Sequence, residues 1–145
     1  APHFEDYASF LEDVYARRWD SLNDLNGHML RGFLEQLGID TPVTFSSDLD
    51  VPGTATDRLV DQVRAVGGDT YYSGAYALDA YLDADRLDEA GIGLALQDWD
   101  APRYPQRFGG FIPDLSIVDL LMNCGPAARE VLLGEDSASA LREGK

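Results

Sequence analysis

The chain has 145 residues, 45 % of them hydrophobic and 10 % aromatic, a composition that lets one globular domain bury a core without disulfides or a structural metal. Its 11 basic and 26 acidic residues leave a net charge of −15, which repels phosphate backbones and anionic lipid surfaces, so neither a nucleic acid nor a membrane is an expected partner. No apolar run reaches the length of a bilayer span, and the single Cys124 excludes an internal disulfide framework.

The opening residues Ala1-Pro2-His3-Phe4 have neither the basic start nor the apolar run of a secretory signal. With the lone thiol, which suits a reducing compartment, they lead to the expectation of a cytoplasmic protein. The absence of an initial Met points to a chain that was processed, trimmed or cut from something longer.

In chain order, Tyr7, Phe10, Leu11, Val14 and Tyr15 follow the spacing of one helical face, which Trp19 closes. Ser21 stands three residues before Asp24 in a capping-box arrangement, and Leu22, Leu25, Met29, Phe33 and Leu37 form a second stripe that stops at Gly38. These two segments predict an N-terminal helical hairpin. Pro42-Val43-Thr44-Phe45 is short, β-prone and bounded by turn residues, which predicts a first strand ending at Ser46-Ser47-Asp48. A helix follows, with Thr54 and Asp57 at capping spacing, Leu59, Val60, Val63 and Val66 on its apolar face and Gly67-Gly68 at its end. Thr70-Tyr71-Tyr72 predicts a second strand running into Ser73-Gly74, residues 83–91 a short helix with Leu87 and Ala90 inward, and residues 92–97 a third strand.

Strands separated by helices imply parallel pairing. The expected fold is therefore α/β, a small parallel sheet of about three strands with flanking helices, in one domain over residues 1–136. A polar tail over residues 137–145 is expected to be disordered. Between sheet and tail lies a long Pro- and Gly-marked excursion from Asp98 to Pro113, then a helix from Ser116 with Asp119 at capping spacing, and Gly125-Pro126 divides that helix from another.

Ligands of open parallel sheets bind beyond the carboxyl ends of the strands. That rule selects Ser46-Ser47-Asp48, Ser73-Gly74 and Gln97-Asp98, together with the aromatic loop carrying Tyr104 and Gln106. Ser73 and Gly74 would cradle a ligand, Gln97, Asp98, Tyr104 and Gln106 would orient it, and Asp57 or Asp119 would serve as a base if released from helix capping. Arg58, Arg103 and Arg107 are the cations that an anionic substrate would need in so acidic a chain. Each residue also has a plainer reading as a turn former, helix cap or solubilising charge. His3 and His28 lack metal-ligand spacing, and Cys124 reads as an inert thiol, so no metal or cofactor is expected.

Several segments resemble one family: Gly67-Gly68-Asp69-Thr70-Tyr71-Tyr72-Ser73-Gly74, Glu89-Ala90-Gly91-Ile92, Gln97-Asp98, Tyr104-Pro105-Gln106, and the run from Phe111-Ile112-Pro113-Asp114 through Asn123-Cys124-Gly125-Pro126. In order and spacing they are similar to the WbqC-like protein family. The resemblance implies a bacterial protein of surface-polysaccharide or related biosynthesis that transfers an acyl or aminoacyl group to an amino sugar. Nothing in residues 1–13 matches the His-Gln-Pro type motif with which the family begins, so the chain is expected to be a C-terminal portion whose catalytic His lies on an absent segment. A small sheet with two open edges agrees with that expectation, and a homodimer or a separate N-terminal chain would also cover an edge. The competing expectation is a non-catalytic binding or assembly module that completes its sheet with a partner.

Overall fold

The computed structural model describes residues 1–134, so the tail expected to be disordered lies outside the described residues. Contacts divide the chain into two compact units, one formed by Ala1–Thr41 with the chain from Asp100 onward, the other by Pro42–Trp99.

The first unit is helical. Helix α1 spans Phe4–Ala16 and α2 spans Leu22–Gln36. They pack through aromatic rings, Phe10 lying edge-on to Phe33 at 5.3 Å and stacked on His28 at 5.6 Å. A Cβ at Gly32 would come within 2.3 Å of the Phe10 ring, so this glycine lets that ring approach the α2 backbone. Trp19 closes the pair as expected, donating its indole N–H to Val14 O at 2.9 Å. Tyr15 and Leu22, expected on the apolar faces, are instead exposed, Tyr15 in the last turn of α1 and Leu22 at the first position of α2. Ser21 caps α2 as its spacing predicts, accepting from Asp24 N at 3.1 Å. Gly38 ends that segment in the left-handed region, at φ 61°.

Helix α6, Ile117–Cys124, carries the core of this unit through Leu120 and Leu121, packed with Leu37, Ala128 and Val131 and flanked by Tyr7, Phe33 and Tyr104. A 3-10 turn, Gly125–Ala127, with Pro126 near its start, leads into α7, Ala128–Leu133. Burial of these Leu and Val side chains is worth about 1.5–3 kcal/mol each, against which the ordering of the intervening loop must be set.

The second unit is the α/β part. Helix α3 covers Ala55–Ala65, strand β1 Thr70–Ser73, helix α4 Tyr76–Ala80, helix α5 Ala84–Glu89 and strand β2 Gly93–Leu96. The strands pair in parallel, Thr70 opposite Gly93 and Ser73 opposite Leu96. Tyr71 and Leu94 turn toward a core of Val60, Val63, Ala77, Leu82, Leu87 and Ile92. The expected architecture of a small parallel sheet with flanking helices is present, with two strands in place of about three. Pro42-Val43-Thr44-Phe45 stays irregular and Ser46–Asp48 forms a 3-10 turn. Propensity makes a segment extended, but a strand exists only where a ladder accepts it, and Pro42 has no N–H to offer one.

Candidate functional site

The stretch after residue 100 is irregular until α6, and side chains hold it in shape. The Gln106 amide imitates a peptide group, donating through Nε2 to Ile112 O at 2.9 Å and accepting through Oε1 from Ile112 N at 2.8 Å. This clamp closes a loop whose tip turns at Gly109 and Gly110, both left-handed with φ 68° and 75°. Phe111 lies edge-on to Tyr104 at 5.8 Å, and the Arg103 guanidinium sits 4.5 Å from its ring centre. At the tip, Phe108 is 93 % exposed, with the Arg107 guanidinium 5.8 Å from its ring centre.

Beneath the loop, Ser116 caps α6 by accepting from Val118 N at 3.2 Å. The Asp119 carboxylate is therefore not the partner of that cap. Its Oδ2 accepts the Tyr104 hydroxyl at 2.9 Å, and its Oδ1 accepts Asn123 Nδ2 at 3.1 Å. Burial pushes the Tyr104 pKa up, so the phenol keeps its proton as a donor at neutral pH. The neighbouring Cys124 thiol is pushed up to about 11, first by burial and then by Asp119, which makes it a poor nucleophile. The loop, α6 and Ala1 line a half-open cavity of about 270 Å³ that takes in Gln106, Arg107, Phe108, Ile112, Asp119 and Asn123. The arrangement puts a carboxylate with fixed orientation, a cation and an open aromatic face into one small space.

Of the residues expected at a site, Tyr104, Gln106 and Asp119 come together here. In the second unit, Ser73, Gly74 and Gln97 meet at the carboxyl ends of the two strands: Gln97 N donates to Ser73 O at 2.8 Å, and a Cβ on Gly74 would meet Gln97 Oε1 at 3.9 Å, an ordinary contact. Asp98 is exposed beside them. An open cavity in this unit is lined by residues 78–85 and takes in none of them.

Asp57 does not cap α3, since the Thr54 side chain makes no capping bond. It pairs across the unit with Arg86 Nε at 2.6 Å, while Arg58 is exposed. The helix-start bond in this region belongs to Asp83, which accepts from Arg86 N at 3.1 Å.

Sequence reasoning assigned no role to Asn123 or Phe108. The i, i+4 spacing of Asp119 and Asn123 was the available signal for the first, and an aromatic residue directly before Gly109-Gly110 for the second. Among the described residues no group of three or more His, Cys, Asp and Glu side chains is placed to hold a metal ion. No helix among them is long and apolar enough to cross a membrane.

The model of the WbqC-like protein family matches residues 1–131. "Uncharacterized protein Rv1507c" of Mycobacterium tuberculosis is 34 % identical over 134 residues, covering 91 % of this chain. The chain spans 58 % of the length of that relative. No solved structure matches this chain. The family match takes in residues 1–13, which were expected to have no counterpart there, so the expectation of a C-terminal portion lacking the family's first segment loses its support. Packing gives the same segment a place in the first unit: His3 N donates to Met122 O at 3.0 Å and Tyr7 packs on the core.

Proposed function

The chain belongs to the WbqC-like protein family, and we propose that the cavity between its aromatic loop and α6 binds an amino sugar as the acceptor of an acyl or aminoacyl group, in surface-polysaccharide or related biosynthesis. One observation carries the reading: Asp119 reaches the cavity with its carboxylate oriented by Tyr104 and Asn123 instead of being used as a helix cap.

An amino group arrives at neutral pH as an ammonium ion, which is not nucleophilic. Asp119 binds it by charge-assisted hydrogen bonds and takes one proton, the freed amine nitrogen bonds to the acyl carbon, and the bond from that carbon to the donor's leaving group breaks as the leaving group departs with the second proton of the nitrogen. Asp57 is a weaker candidate for the base, since it is exposed and already paired with Arg86. The lone thiol favours a reducing, cytoplasmic setting.

Calorimetric titration of the chain with glucosamine tests the reading. Asp119→Asn should weaken binding by tenfold or more, while Asp98→Ala leaves it unchanged. Equal affinity in Asp119→Asn and the native chain sinks the assignment, and a loss confined to Asp98→Ala moves the site to the strand ends of the second unit.

A second reading rests on the sheet. Tyr72 is 62 % exposed on β1, whereas parallel sheets are ordinarily covered on both faces, which favours an assembly role in which a partner chain covers it. A monomeric mass in solution at high concentration counts against a second copy in that place.

A further inference from the structure

The cavity has a polarity that amine binding alone does not use. Asp119 and Asn123 supply it from α6, and Arg107 supplies a positive charge from the loop. Arg103 and Arg107 are the two cations of residues 100–116, and they are engaged differently. Arg103 lies over the Phe111 ring at 4.5 Å, close enough for a firm cation–π contact. Arg107 is exposed, sits farther from its ring at 5.8 Å, and makes no ion pair among the described residues. In a chain of net charge −15 a guanidinium with no ion pair among the described residues is a local reversal of the field at a cavity, and a planar fork of this kind suits a phosphate or carboxylate.

Phe108 adds the third part. Its ring is 93 % exposed yet lines the same cavity, carried on a turn that Gly109 and Gly110 permit and the Gln106 clamp fixes at its base. A Phe side chain left in water forgoes the gain of burying its ring. A ligand that lays an apolar face on the ring recovers part of it, and the C–H face of a pyranose is such a surface.

Resting on the amino-sugar reading above, we infer that the cavity selects an anionic amino sugar, with the ammonium on Asp119, the ring face on Phe108 and a phosphate or carboxylate substituent on Arg107. Arg107 and Phe108 are thereby specificity determinants, and Asp119 is the group common to all amine ligands. The inference needs no relation between the two units, because every group in it belongs to the first.

The test is a set of calorimetric titrations of the native chain with glucosamine 6-phosphate, 2-amino-2-deoxyglucuronate, glucosamine and glucose 6-phosphate. The expected order puts one of the two anionic amino sugars at least tenfold tighter than glucosamine, and glucose 6-phosphate weaker than either. Which anionic sugar leads identifies the substituent as phosphate or carboxylate. Arg107→Gln should bring the anionic sugars to within about twofold of glucosamine measured on the same variant. Phe108→Ser should weaken all three amines alike, and since both side chains are exposed the variants keep the fold, as far-UV circular dichroism verifies. Equal affinity of the native chain for glucosamine and both anionic forms overturns this inference while leaving the amine site in place. A preference that survives in Arg107→Gln overturns the assignment to Arg107, and binding of no amine at all overturns the amine site with it.

Discussion

Tyr104 donates its hydroxyl to Asp119 Oδ2 at 2.9 Å, a side-chain bond that ties the aromatic loop to α6 across 15 residues of chain. Because the carboxylate is a charged acceptor and the pair is half-buried, the bond lies toward the upper part of the usual range for net hydrogen-bond contributions. Tyr104→Phe keeps the ring on Phe111 and removes only the donor. We expect a loss of about 1–2 kcal/mol in urea unfolding, with amine binding weakened as Asp119 loses one of its two orienting partners. Unchanged stability and unchanged affinity together show the bond to be idle.

Gly125 meets two constraints at once. Its φ is 56°, and a Cβ there would lie 2.5 Å from the His3 ring. Gly125→Ala should therefore cost roughly 1–3 kcal/mol for a positive-φ backbone outside the left-handed helical basin, plus the cost of displacing the ring. Removing the ring in His3→Ala Gly125→Ala should recover the second part alone. A double-mutant cycle by thermal unfolding reads this directly, and strict additivity of the two substitutions excludes the steric contact.

Where the sequence could be read and where it misled both follow from the range of the interactions. Gly38, Gly67-Gly68 and Pro126 mark helix ends because a backbone requirement is local and needs no partner. Thr70-Tyr71-Tyr72 and the segment around Leu94 were legible as strands for the same reason, through β-branched or aromatic residues and alternation. Segment 42–45 carried the same local signals and is no strand, because pairing depends on a neighbour that no local pattern encodes. Capping spacing described Ser21 and Asp24 correctly, yet the same spacing at Thr54 and Asp57 and at Ser116 and Asp119 hid carboxylates whose partners lie 29 and 15 residues away. Tyr104, Gln106 and Asp119 were each visible as polar groups. That Gln106 clamps the loop and Tyr104 holds Asp119 follows only from the path of the chain between them.

The Asp57 and Arg86 pair gives a contrasting expectation. Both side chains are largely solvent-exposed, so their attraction is screened despite the 2.6 Å separation. Asp57→Asn should leave the urea unfolding midpoint nearly unchanged, and any small difference should shrink further in 1 M salt. Amine binding should be unaffected. If Asp57→Asn abolishes binding or transfer while the chain stays folded, the base belongs in the second unit and not on α6.

Cys124 provides the pH-dependent expectation. Burial at the end of α6, followed by the charge of Asp119, pushes the thiol from an ordinary 9.0 up to about 11. The folded chain therefore holds the proton more tightly than the unfolded chain. Protonated in both states below pH 9, the group contributes its full stabilisation there; between pH 9 and 11 the unfolded chain releases its proton first, and stability falls as pH rises through that window. Cys124→Ala removes this component, so the native chain should lose more stability than the variant between pH 9 and 11, whatever the tyrosines contribute to both. Urea titrations at matched pH measure the difference. The same raised pKa predicts alkylation by iodoacetamide at pH 8 at least tenfold slower in the folded than in the unfolded chain, since the thiolate is the reacting form. Asp119→Asn, by removing the neighbouring charge, should speed the folded reaction. Equal rates in folded and unfolded chains would mean that the thiol is neither buried nor raised, and the packing of α6 against the loop would then need revision.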